Sequence, residues 1–220
     1  MTKTARIAAV FAVTVVLLAL VVWYVGGFLR MRPSSVAAPV AASAHEANLT
    51  LQTVAAVSSG ARPDWVSYLI RNGAGQWQHS TVFRLPAHAL IHVTLYQFDG
   101  NTGLRNPFWA RPRGVEGNSI TLDGKTVDAI NPDDASHTFA VPDLGISVPL
   151  PGIPDDAKNP CGAAPCQLSF DHRTVQFTFR TGAPGQYRWQ CFVPCAAGFY
   201  FGFGGPMQTI GYMDGFLNVV

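Results

Sequence analysis

The side chains best suited to chemistry are four cysteines, which occur as two close pairs. An even number of cysteines at short spacing suits disulfide bonds in an oxidising compartment. For Cys161 and Cys166 we predict a disulfide, because no histidine lies between them and the nearest one is His172. For Cys191 and Cys195 metal ligation competes with a disulfide, since thiolates are good ligands for soft metal ions.

The elements that must position these residues are predicted to be strands. Period-two alternation and β-branched or aromatic runs recur over residues 49–57, 65–70, 80–85, 90–98, 174–179, 185–190 and 216–220. Nothing of comparable length in this part of the chain carries an apolar stripe of helical period, so an all-β sandwich or barrel is predicted. Residues 99–132 break the alternation and are interpreted as an insertion, with a hairpin turn at 122–125.

An uncharged apolar segment precedes the strands, over residues 7–29. About 20 apolar residues suffice to cross a bilayer as a helix. A small-residue stretch at 42–44 resembles a signal cleavage site, but the apolar region of a signal peptide spans only about 7–15 residues. We therefore predict a retained, single-pass membrane anchor. The predicted division is an anchor at 1–30, a flexible linker rich in Ala, Ser and Pro at 31–46, and a folded domain at 47–220.

Composition excludes several classes of function. Only 13% of residues are charged and the formal net charge is +2, with Lys and Arg scattered along the chain. A nucleic-acid binder would carry a clustered basic face, so nucleic acid is not a predicted partner. No nucleophile elbow, phosphate-binding loop or zinc-protease helix motif is present either, which leaves a hydrolase or transferase unsupported.

Four fragments carry a resemblance to a known family. Residues 85–87 read LPA, residues 137–142 read HTFAVP, residues 185–198 read GQYRWQCFVPCAAG, and residues 213–219 read MDGFLNV. In this order they resemble the cupredoxin-like domain of cytochrome c oxidase subunit II. That family has a Cys-x-x-x-Cys-x-x-Gly loop, then a His and a Met three residues on, then a last Gly-x-hydrophobic-x-Val strand. The resemblance covers most of residues 80–220.

The resemblance implies a cupredoxin-like Greek-key β-sandwich behind one transmembrane helix, with a copper centre of the copper-A type. In the family, two bridging Cys, two His, one Met and one backbone carbonyl hold two copper ions. Carried over by position, His137 is the first imidazole ligand. Cys191 and Cys195 are the bridging thiolates, and Val193 supplies the carbonyl.

The ligand set implied by the resemblance is incomplete. No histidine follows His172, and the expected place holds Phe199 when counted from the cysteine loop, or Ile210 when counted back from the last strand. For the thioether, Met213 is preferred because a strand of the family type follows it, and Met207 is the alternative because it lies nearer the loop. The sequence thus leaves two states open, a variant copper site and a metal-free end closed by a disulfide between the last two cysteines.

Three functions are compatible with these two states, since a copper site can serve either electron transfer or copper transport. The first is copper-mediated electron transfer in a respiratory or other redox complex, with the domain on the extracytoplasmic side of the cell membrane. Its implied partners are integral membrane subunits and a cytochrome c or another electron donor. The second is a metal-free structural subunit of a membrane complex. The third is a carrier of Cu(I), since soft sulfur ligands select that ion.

Overall fold

The computed structural model describes residues 2–28, 40–43, 45–59, 62–103, 106–194 and 205–220. The chain divides into two compact units, residues 1–32 and 33–220. The first contains helix α1, Lys3–Trp23, which continues as a π-helical turn over Tyr24–Phe28. Thr2 caps the helix by accepting a hydrogen bond from the N–H of Ala5 at 3.3 Å. The helical segment Lys3–Gly26 is long and apolar enough to cross a membrane, as an anchor or as a signal sequence.

The second unit consists of strands joined by turns and short 3-10 helices. The strands are β1 (Val40–Ser43), β2 (Glu46–Ser59), β3 (Arg62–Arg71), β4 (Trp77–His79), β5 (Val82–Leu85), β6 (Leu90–Gln97), β7 (Ile120–Leu122), β8 (Lys125–Val127), β9 (Ala135–Val141), β10 (Ile146–Pro151), β11 (Arg173–Arg180), β12 (Gly185–Gln190) and β13 (Asp214–Val219). The prediction of an all-β domain behind one apolar helix is confirmed.

These strands form two sheets. The larger sheet has the order β4-β3-β2-β6-β11-β7-β8, with β1 paired to β2, and the smaller has the order β10-β9-β12-β13-β5. Most neighbours are antiparallel, while β2 with β6 and β5 with β13 are parallel. Buried apolar side chains from both sheets form one core, as expected of a sandwich.

Trp189 on β12 occupies the centre of that core and is fully buried. Its ring stacks on Phe139 and Phe83 at centroid distances of 5.8 and 6.0 Å, and it meets the edge of Tyr68 from the other sheet at 4.8 Å. Its indole N–H donates to the carbonyl of Thr81 at 2.8 Å. Strand β12, which ends just before Cys191, is therefore anchored firmly between the sheets.

Two strands of the smaller sheet were not predicted. The HTFAVP motif, which lies outside the predicted strands, lies mostly in β9, and β10 follows it as its antiparallel neighbour. Every residue of both strands is buried. A strand that is covered on both faces shows no alternation of polar and apolar residues, so a search for alternation misses it.

The segment interpreted as an insertion joins the larger sheet. The predicted turn at 122–125 is present, since Leu122 pairs with Lys125 and both turn residues, Asp123 and Gly124, have positive φ. Strand β7 also pairs with β11, through Leu122 and Val175. The hairpin is therefore an extension of the sheet. Strand β1 likewise lies within the segment predicted as a linker and pairs with β2.

A disulfide joins Cys161 to Cys166, the pairing that the sequence favours. Both residues belong to a small second apolar cluster with Val54 and Phe98. The N–H of Cys166 donates to the side-chain oxygen of buried Gln52 on β2 at 2.7 Å. The disulfide therefore holds the long connection between β10 and β11 against the larger sheet.

Replacing Cys161 and Cys166 together with serine is expected to lower the free energy of unfolding by about 2 kcal/mol, the value for a closed loop this short. Chemical denaturation of the full chain in detergent micelles measures the loss. Reduction of the disulfide in the wild-type protein should lower its denaturation midpoint to that of the double variant. The midpoint of the double variant itself should not change on reduction. An unchanged wild-type midpoint on reduction would show that the disulfide has no stabilising role.

Candidate metal centre

Cys191 lies at the junction of β12 and β9. Gln190, the residue before it, is paired with Ala140 on β9. The N–H of Thr138 points at the Cys191 sulfur at an N to Sγ distance of 3.4 Å, and the Thr138 hydroxyl accepts the N–H of Phe192 at 2.8 Å. The thiol is fully buried, so its position is set by strand pairing.

His137 meets this thiol from β9 and is only 2% exposed. Its Nδ1 lies 3.9 Å from the sulfur of Cys191. Its Nε2 lies 3.0 Å from a carboxylate oxygen of Asp99, in the loop that follows β6. The imidazole is thus held between a thiol on one side and a carboxylate on the other.

The electrostatics of this trio favour positive charge at the imidazole. Burial by itself lowers the pKa of His137, but the hydrogen bonds and charges of Asp99 and Cys191 outweigh it and raise that pKa to about 9. Burial likewise raises the pKa of Asp99, yet its contact with His137 and the N–H of Gly100 hold that pKa below its usual value. Metal binding would release the proton from His137, because a histidine ligand is neutral.

Met213 is the thioether that the structure places opposite Cys191. Gln190 and Asp214 are partners in the pairing of β12 with β13, and the N–H of Cys191 donates to the carbonyl of Met213 at 2.9 Å. Directly opposed residues of an antiparallel pair extend to the same face. Both side chains are fully buried in the main core. Met207 is only partly buried, and its carbonyl accepts a hydrogen bond from the Gln190 side chain.

Of the remaining predicted ligand positions, two lie within the residues that the structure describes and two do not. The Cys191 thiol donates to the carbonyl of Val193 at a sulfur to oxygen distance of 3.3 Å, and the role of that carbonyl as a ligand stays a prediction. Ile210 forms an isolated bridge with Asp214. Cys195 and Phe199 lie outside the described residues. The predicted bond between Cys191 and Cys195 therefore stays a prediction.

Three other histidines of the described chain contact groups other than Cys191. His79 contacts the hydroxyl of Ser67 at 2.9 Å, His92 contacts Thr178 at 3.0 Å, and His172 contacts a backbone carbonyl at 2.8 Å. Across the described ranges, no three His, Cys, Asp or Glu side chains are grouped to hold a metal ion. A complete ligand set would therefore include a methionine or the cysteine at 195.

The separation of His137 Nδ1 and Cys191 Sγ fits two ligands of one ion. Metal to nitrogen and metal to sulfur distances of about 2.0 and 2.3 Å, at angles between tetrahedral and trigonal, place the two donor atoms roughly 3.5–3.7 Å apart. The observed distance is 3.9 Å. Imidazole and thiolate are both donors that copper accepts. The contact between His137 and Cys191 is therefore compatible with two ligands of one copper ion.

Asp99 was missed by sequence reasoning, which placed it only at the start of an insertion. No local pattern marks it, because it lies 38 residues from His137 and meets it only when the two sheets pack. Its importance follows from general metal chemistry. Histidine ligands usually donate their second ring N–H to a carboxylate or carbonyl.

No protein-family model matches the chain, and no curated protein matches it in sequence. The solved structures that match include several of rusticyanin. In particular, the chain is similar to the copper protein rusticyanin, at 16% identity and a TM-score of 0.34, with 89% of this chain and 92% of that chain covered.

A structure of reduced rusticyanin matches at 14% identity, a TM-score of 0.33 and 84% coverage of both chains. Rusticyanin from Thiobacillus ferrooxidans matches at 13% identity and a TM-score of 0.30, with 89% and 92% covered. These neighbours are not subunits of cytochrome oxidase. Scores this low do not assign a ligand or an activity, so the proposals below depend on the chain's own residues.

Proposed function

We propose that the chain is a membrane-anchored, extracytoplasmic cupredoxin-like protein that transfers electrons through copper held by Cys191 and His137. The observation that carries the proposal is the 3.9 Å contact between the buried Nδ1 and Sγ atoms, the first on β9 and the second in the residue directly after β12 of the same sheet. Met213, whose carbonyl accepts the N–H of Cys191, would supply the thioether, and Cys195 would be the further thiolate.

Copper in such a site supplies one-electron chemistry by cycling between Cu(I) and Cu(II). The protein supplies rigidity and burial of the donors. Cys191 and Met213 are fully buried and His137 is nearly so, while His137 also lines a pocket of about 380 Å³. A buried cysteine sulfur suits copper electron transfer, because the apolar surroundings of that sulfur tune the redox potential.

The remaining features agree with an outer location. A structural disulfide persists in oxidising compartments, which supports a position of the folded unit outside the cytoplasm. The apolar helix α1 would then serve as the anchor, with the integral subunits of a redox complex as partners. Phe192 follows Cys191 directly and is 40% exposed. It offers a short route from the site to an electron donor such as a cytochrome c.

Loading the full chain with Cu(I) in detergent micelles, followed by oxidation, tests the proposal. We expect stoichiometric copper, an electron paramagnetic resonance signal on oxidation, and loss of that signal when ascorbate is added. Copper that binds but resists oxidation would indicate a carrier of Cu(I). A chain that takes up no copper would be the metal-free structural subunit.

A further inference from the structure

Asp99 directs which nitrogen of His137 faces the cysteine. An ionised carboxylate only accepts hydrogen bonds. The Nε2 atom of His137, 3.0 Å from the Asp99 oxygen, must therefore carry a hydrogen. The other ring nitrogen, Nδ1, then presents its lone pair toward Cys191 whenever the imidazole is neutral. A metal ligand needs that lone pair.

The carboxylate of Asp99 is itself held in place. Its second oxygen accepts the N–H of Gly100 at 2.9 Å, and its backbone carbonyl accepts the N–H of Ile153 at 2.9 Å. Gly152 packs directly against this turn, because a Cβ at that position would lie 2.4 Å from the carbonyl carbon of Gly100 and 2.5 Å from the nitrogen of Asn101. Backbone contacts therefore fix where the carboxylate stands, before any metal binds.

We propose that Asp99 is the positioning residue of the copper site, which holds His137 with Nδ1 directed at Cys191 and so raises the affinity for Cu(I). The inference rests on the proposed copper function and extends it to a residue outside the resemblance. Loss of such an outer-shell partner typically costs about 10–100-fold in metal affinity.

The variants are Asp99→Ala, Asp99→Asn and a control, Asp64→Ala. Asp64 is an exposed carboxylate that lines the same pocket of about 380 Å³ as Asp99 and His137. The affinity for Cu(I) is measured on the full chain in micelles by competition with a chromophoric chelator. A second readout needs no copper. The Nε2–H proton of His137 is followed by NMR of the metal-free, ¹⁵N-histidine-labelled chain and assigned by its loss in His137→Gln.

We expect a slowly exchanging Nε2–H signal in the wild type and in Asp64→Ala, and its loss in Asp99→Ala together with a 10–100-fold weaker affinity for Cu(I). The affinity of Asp99→Asn for Cu(I) should fall by less, because its amide oxygen still accepts a hydrogen bond. A persistent signal and an affinity within threefold of wild type would overturn the proposal. If Asp99→Ala does not fold, the Nε2–H signal and the Cu(I) affinity of Asp99→Asn test the proposal instead.

A wild-type chain that binds no copper would contradict the proposed copper function. The Nε2–H signal of the metal-free chain then tests by itself whether Asp99 holds the His137 ring.

Discussion

Replacing Cys191 with serine is expected to abolish copper binding. The sulfur of Cys191 is the buried donor that faces His137, and the hydroxyl of serine is a much harder ligand that does not replace it for copper. Removing an outer-shell partner of a metal ligand costs up to about 100-fold in affinity. Removing the ligand itself should lower the affinity for copper by more than that. Copper per protein, measured after gel filtration of the loaded full chain, is the readout.

The other cysteine pair supplies the matched control. The double variant Cys161→Ser with Cys166→Ser also removes sulfur atoms, but from the disulfide in the second cluster. It should keep the copper content of the wild type while losing stability. Full copper content in Cys191→Ser would mean that the ion binds elsewhere. Equal losses in both variants would point to general unfolding.

The largest expected effect on stability is that of Gly215→Ala. A Cβ at this position of β13 would lie 1.8 Å from the carbonyl oxygen of Thr81 and 2.6 Å from the indole nitrogen of Trp189. That carbonyl accepts the N–H of Phe216 as well as the indole N–H, so it cannot move without breaking both hydrogen bonds. We expect a loss of about 3 kcal/mol or more, beyond the usual range for overpacking.

Gly73→Ala is the control for this change. Gly73 lies in the turn between β3 and β4, and a Cβ there would have nothing within 4 Å. Its effect on the free energy of unfolding should stay within about 0.5 kcal/mol. Denaturation midpoints of the two variants in the same micelles give the comparison. A Gly215→Ala protein as stable as Gly73→Ala would show that β13 and the Thr81 carbonyl are not in close contact.

The alternation of apolar and polar residues predicts strands that have one face toward solvent. Strand β6, with alternating buried and half-buried residues, was found in this way. Strands β9 and β10 were not, because both of their faces are covered. The strand that carries His137 was therefore not predicted.

The candidate site was predicted from motifs whose order resembles that of cytochrome oxidase subunit II. The positions of His137 and Cys191 came from that order, and the structure brings their side chains into contact. The choice between Met213 and Met207 was argued only from the following strand and stays a prediction. In the structure, the carbonyl of Met213 accepts the N–H of Cys191. Asp99 had no signal in the sequence, since its contact depends on how the two sheets pack.

X-ray absorption at the copper edge of the loaded full chain tests the copper site most directly. We predict scattering from both sulfur and imidazole nitrogen, with the imidazole contribution lost in His137→Ala. Copper surrounded only by oxygen and nitrogen, with a spectrum unchanged in His137→Ala, would contradict a site built on the contact between His137 and Cys191.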